Sequence, residues 1–195
     1  DVEHAPMLTS VKGEELYFQD INLGINKKIN KQVRANFVIA NQTYNKDFLE
    51  GHVQGDYGVL SSTILVADVS YKIKKGHSVR VELQALKSNQ LENYSHVGIY
   101  ENGMEEPAEG DWSMGLIEYT ISPHWFFTIQ DMYNWGNENT DKQLHYINLN
   151  AGFNKGANRF SIGYGKKREG IFCVGGICKF VPSSNGFSLN ISSSF

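Results

Sequence analysis

The chain has 195 residues, 41% hydrophobic and 20% charged, with a formal net charge of -3. That length supports one sizeable domain, and a charge so near neutral argues against a nucleic-acid partner. No stretch reaches the roughly 18 apolar residues of a membrane-spanning helix, but a transmembrane strand needs only about 9–11, apolar at alternate positions. Nineteen Gly, 11 Phe, 10 Tyr and 3 Trp against 4 Pro make a β-rich profile.

The opening DVEHAPMLTS has neither the basic start nor the apolar core of a signal peptide, so a mature, trimmed or partial chain is expected. Residues 1–14 read as an extracellular loop segment or N-terminal extension, and 15–195 as strands with their connections. Alternation then recurs throughout. Tyr17, Ile21, Leu23 and Ile25 alternate with Asp20, Asn22, Gly24 and Asn26. Val33, Ala35, Phe37 and Ile39 face away from Arg34 and Asn36. Leu65 to Ile73 alternates with Asp68, Ser70 and Lys72, and Val79 to Ala85 with Arg80, Glu82 and Gln84. Gly115, Ile117, Tyr119 and Ile121 alternate with Glu118 and Thr120. Trp125, Phe127, Ile129 and Tyr133 follow, then Ile147 to Phe153, then Phe160, Ile162 and Tyr164. Phe187, Leu189, Ile191 and Phe195, with serines and Asn190 between them, complete nine predicted strands.

Short connections (26–32, 74–77, 122–124, 154–158) alternate with long ones at about 45–62, 87–111, 134–143 and 166–185. This rhythm predicts an all-β, antiparallel up-and-down transmembrane β-barrel, with extended extracellular loops and tight periplasmic turns. The expected site is the bacterial outer membrane. Nine strands put the start of the chain outside, whereas bacterial single-chain barrels have an even number. This sequence is therefore expected to be the C-terminal part of a larger barrel, or to hold a tenth strand without a readable pattern. A barrel closes by pairing last strand with first. Phe187, Leu189, Ile191 and Phe195 would then face lipid and resemble the C-terminal insertion signal of bacterial outer-membrane proteins. Ser193 departs from the large apolar residue preferred there.

Belts of aromatics are expected at both membrane interfaces. Trp125, Phe126 and Phe127 begin one strand at the periplasmic side, Tyr133 and Trp135 end it at the outer side, and Trp112 begins the strand before. Cys173 and Cys178, in FCVGGIC, flank a Gly175-Gly176 hairpin turn. Val174 and Ile177 close that turn, so the cysteines fall opposite each other, within disulfide range at about 4.5 Å between Cα atoms. A metal site would lack ligands, because no further Cys exists and His124 and His145 belong to other regions.

The strings REGIFCVGGICKFVPSSNGF (168–187) and IQDMYNWG (129–136) resemble a family of Bacteroidota outer-membrane barrels of unknown function, over roughly residues 15 to 195. The resemblance implies fold and location, and carries no known activity. Members are longer than this chain, which again points to a missing N-terminal portion.

Polar residues predicted inside are Asp20, Arg34, Asp68, Lys72, Arg80, Glu82, Glu118 and Arg159. They suit either a lumen that selects solutes by charge or a narrow barrel whose charges pair across strands. A lipid hydrolase would need a Ser-His pair, but nothing in the spacing joins His145 to Ser113 or Ser161. Asp131 reads as a strand emerging into its loop. The stretch 101–111 carries five carboxylates and no base, without the ordered spacing of a calcium loop. The expected function is a porin-like channel for small solutes, non-enzymatic and without cofactor or metal. The alternative is a barrel subunit docking onto a larger outer-membrane transport or secretion assembly, and a soluble lipocalin-like barrel is the remaining option. Expected partners are outer-membrane lipid, the barrel-assembly machinery during insertion, and other outer-membrane proteins.

Overall fold

In the computed structural model the described residues are 2–4, 17–45, 59–89, 110–137, 139–168, 170–174 and 177–193. Twelve strands run in order: β1 (Val2–His4), β2 (Phe18–Lys28), β3 (Val33–Asn45), β4 (Val59–Lys74), β5 (His77–Ser88), β6 (Trp112–Ile121), β7 (Trp125–Tyr133), β8 (Asn148–Lys155), β9 (Asn158–Lys167), β10 (Gly170–Val174), β11 (Ile177–Val181) and β12 (Ser184–Ser193). Among the described residues there is no α-helix, only a 3-10 turn at Thr140–Lys142 between β7 and β8. Among the described residues no helix is long and apolar enough to cross a membrane, a criterion that does not bear on strands.

Strands β2 to β9 and β12 make one antiparallel up-and-down sheet in which every strand pairs with the one before it, β10 and β11 excepted. These are the nine strands that the alternation predicts. Strands β10 and β11 form a separate hairpin between β9 and β12. The short β1 lies along β2, with Val2 opposite Ile25 and His4 opposite Leu23, so this part of the N-terminal extension is a strand. The sheet is open: among the described residues nothing pairs with the outer edge of β12, and the expected pairing of last strand with first is not made. Strands β3 and β4 run further toward the long-connection end than alternation reveals. Their ends are joined by polar pairs, Thr43 to Ser61 at 3.2 Å and Asn41 to Thr63 at 3.3 Å, which carry no apolar contrast.

Register explains why each strand keeps its phase. One row of directly opposed residues crosses the sheet as Lys28, Arg34, Ser70, Arg80, Glu118, Thr128, Asn150, Gly163 and Ser188. The rows on either side are apolar. One reads Ala35, Val69, Val81, Ile117, Ile129, Leu149, Tyr164, Phe187; the other reads Val33, Tyr71, Val79, Tyr119, Phe127, Ala151, Ile162, Leu189. Successive side chains point to opposite faces, so a slip of one residue in any strand would carry its polar set onto the apolar side. The polar row begins at the last residue of β2 and ends mid-strand in β12. Strands staggered in this sense are tilted, as barrel walls require.

The connections sort by end. Turns 29–32, 75–76, 122–124 and 156–157 all lie at one end of the sheet, and the four long connections at the other. Neighbouring turns are joined to one another through the backbone: Lys72 N–H donates to Gln32 O at 2.8 Å, Ser122 N–H to Gly76 O at 2.7 Å, and Asn154 N–H to His124 O at 2.8 Å. The Asn30 side chain accepts from Gln32 N and Val33 N and fixes the first turn. Gly76 and Gly156 adopt positive φ, which a two-residue hairpin turn demands.

Candidate functional site

A soluble sheet buries its apolar side; this one does the reverse. Phe187, Leu189 and Ile191 are 82%, 69% and 65% exposed, whereas Thr128 is 5% and Asn148 1% exposed. Exposed Ile129, Leu149 and Ile162 continue the apolar surface, and buried Gln130, Asn150 and Ser161 continue the polar one. A flat sheet would expose both faces alike, so the inequality means that the sheet curls around its polar side. The candidate site is that sheltered polar face.

All eight residues predicted to face inward share it by register. Asp68 and Glu82 stand directly opposite on β4 and β5, a like-charge pair that is unfavourable alone. Arg80 offsets it by pairing with both, and Gln84 donates to Glu82. Gln42 reaches Asp20 at 3.2 Å, Asn150 donates to Asn148 at 2.7 Å, and Lys167 donates to Ser188 at 2.9 Å. Charges that pair across strands are one of the two arrangements the sequence allows.

Two aromatics expected in the membrane belts turn inward. Phe126 is buried on the polar face, its ring over Gly152 and beneath the Arg159 guanidinium at 4.1 Å. A Cβ on Gly152 would lie 2.0 Å from the Phe126 ring, so this packing requires glycine. Trp112 does stand at a strand end. Its side chain, however, is buried on the polar face, 5.9 Å from the Tyr146 ring and under Arg168 at 4.4 Å. The signal was its phase: Trp112, Met114 and Leu116 keep step with Glu118, not with Ile117. With buried Leu60 and Leu116, Trp112 gives the long-connection end of the face an apolar lining.

The remaining belt residues stay on the apolar side or beyond the strand. Trp125 and Phe127 are exposed near the short turns, their rings 6.3 Å apart, and Trp125 also meets Phe153 at 4.7 Å. Tyr133 ends β7 and Trp135 follows it, exposed. Phe195 lies outside the described residues. In the β10–β11 hairpin Val174 is opposite Ile177 and Cys173 opposite Cys178, the register read from the sequence.

Asp131, Tyr133 and His145 gather on the apolar side near the long connections. His145 Nδ1 lies 2.7 Å from Asp131 Oδ2, and its ring stacks on Tyr133 at 4.1 Å. Ser113 is opposite Tyr133 in the register, which leaves the tyrosine between it and the histidine, and Ser161 is buried on the other face. Neither serine is brought to His145. Among the described residues no group of three or more His, Cys, Asp or Glu could hold a metal ion.

These features define an all-β protein built as an antiparallel up-and-down sheet, apolar on its exposed side and polar on its sheltered one. The chain belongs to a family of unknown function, DUF6029, whose model matches residues 4–195. No curated protein and no solved structure matches it.

Proposed function

We propose that this chain forms part of the wall of a bacterial outer-membrane β-barrel, of the Bacteroidota type that its sequence resembles, and that the barrel passes small solutes through a polar lumen. The observation that carries the reading is the inverted burial: large apolar side chains are exposed across nine strands while the amides and hydroxyls between them are sheltered. In water such a surface would be a severe aggregation liability, whereas hydrocarbon is its natural solvent. Long connections at one end and short turns at the other support an extracellular and a periplasmic side. The exposed Phe187, Leu189 and Ile191 support a membrane-inserting terminal strand, and the opposed Cys173 and Cys178 support a disulfide in an oxidising compartment. The partners in this reading are outer-membrane lipid and the barrel-assembly machinery.

Conductance across a planar bilayer, measured on refolded protein of full natural length, tests the channel. Discrete, reproducible current steps are expected. A second reading, a non-conducting subunit docked on a larger outer-membrane assembly, is favoured by the buried Leu60, Trp112 and Leu116 at one end of the polar face. Silent bilayers together with a stoichiometric partner in detergent extracts would replace the channel by the subunit.

A further inference from the structure

Cationic side chains collect at the short-turn end of the polar face. Two adjoining grooves there, about 530 and 190 Å³, share Lys31, Gln32 and Lys72 as walls. Lys28, Lys31, Arg34, Lys72, Lys74 and Lys75 line them, and no carboxylate does. None of the six forms an ion pair with a described carboxylate, whereas Arg80, further along the same face, is neutralised by Asp68 and Glu82. Among the described residues the Arg80 charge is thus compensated, and the charge at the rim is not.

The rim is also held in place. The backbone bonds from Lys72 to Gln32 and from Ser122 to Gly76 tie the first turn to the end of β4 and the second turn to the third, and Asn30 fixes the turn that carries Lys31. Like charges brought close repel even in water, and more beside low-dielectric walls. A backbone so tied cannot spread to relieve that. An anion can. Ammonium groups bind phosphate oxygens as point charges, Arg34 adds a planar fork, and the Ser78 and Ser122 hydroxyls supply neutral donors. Rings of Lys and Arg are how anion and phosphate pores select their solutes.

We propose that this end of the polar face is an anion-binding mouth that takes small phosphate-bearing solutes; passage of those solutes rests on the channel reading, whereas the binding site does not. Lys28, Arg34 and Lys72 occupy polar-face register positions, away from the surface that would meet lipid, which favours a dissolved phosphate over a headgroup.

Calorimetric titration of inorganic phosphate and pyrophosphate into the full-length protein, folded in phosphatidylcholine nanodiscs at low salt, tests the site. Saturable binding that weakens with added salt is expected. Combined Lys31→Gln, Arg34→Gln and Lys72→Gln should weaken it at least about tenfold, the loss of roughly one close charge contact or more. Lys155→Gln, at the end of β8 beside another short turn and outside both grooves, should leave it unchanged. If the triple variant does not fold, Lys31→Gln alone, at an exposed turn position, gives the same comparison. Absence of binding by the unmodified protein, or equal binding by the variants, overturns the site. Repeating the titration with phosphatidylglycerol in the disc separates the sources: lost phosphate binding assigns the site to a headgroup and overturns the solute. In planar bilayers a potassium chloride gradient should reveal anion selectivity, and phosphate should reduce the chloride current. Phosphate binding without any current would sink the channel and keep the anion site.

Discussion

The contact between Phe126, Gly152 and Arg159 shows how much a single side chain decides here. A bulky ring on the polar face needs a flat place to lie, and Gly152 supplies it by having no Cβ. Gly152→Ala should therefore destabilise the folded protein by about 1–3 kcal/mol, the usual cost of forcing atoms into a filled space. Most of that loss should disappear when Phe126→Ala is present in the same chain, as a double-mutant cycle of urea unfolding in detergent would show. Side-chain direction was legible wherever polar and apolar residues alternate, which is why all eight inward charges fall where the phase puts them. For Phe126 and Trp112 the phase was legible too, in step with Thr128 and Glu118, but what holds the rings there was not. The partners that draw these rings inward, Gly152 and Arg159 for one and Tyr146 and Arg168 for the other, come from distant positions in the chain.

Among the elements, β12 offers the sharpest contrast between the two faces. Leu189 and Asn190 are neighbours in sequence and point to opposite sides. With the apolar side against lipid, Leu189→Arg should cost about 2–4 kcal/mol and suppress insertion, while Asn190→Arg should be tolerated. The heat-dependent shift in gel mobility of folded against unfolded protein reads both. The β10–β11 hairpin behaves as a separate unit because it forms its own two-stranded sheet. With the proposed disulfide between Cys173 and Cys178, Cys173→Ser should accordingly speed proteolysis within 168–183 without moving the urea midpoint of the main sheet, since a cross-link closing so short a loop stabilises little beyond it. Nine strands were readable because each presents several periods of contrast. Strand β1 was not, since three residues hold barely one period, and its edge position comes from pairing with β2. The cysteine register was readable because a two-residue loop leaves one way to pair the flanking strands.

At the scale of the whole molecule, the balance of the two faces governs behaviour in solution. Exposed apolar side chains extend from Ile21 on β2 to Ile191 on β12. The protein should be monodisperse in detergent and aggregate when detergent is diluted below its micelle concentration, a difference that light scattering measures directly. A species that stays monomeric in plain buffer would oppose the membrane reading. The fold class was legible because the spacing of turns repeats along the chain. Lumen width and closure were not, because they depend on how many strands complete the circle and on their combined stagger, neither of which any one segment encodes.

The joined turns give the molecule two unequal ends for anyone who wishes to modify it. Where each bend accepts a hydrogen bond from the next hairpin, as Gln32 does from Lys72 and Gly76 from Ser122, an inserted epitope or fluorophore would pry apart two hairpins at once. The opposite end is joined by connections of a dozen residues or more, and the entropic cost of closing a loop grows only slowly with its length, so added sequence there costs little. A graft in the connection between β3 and β4 should leave the scaffold intact, and the same peptide placed at Lys75-Gly76 should not.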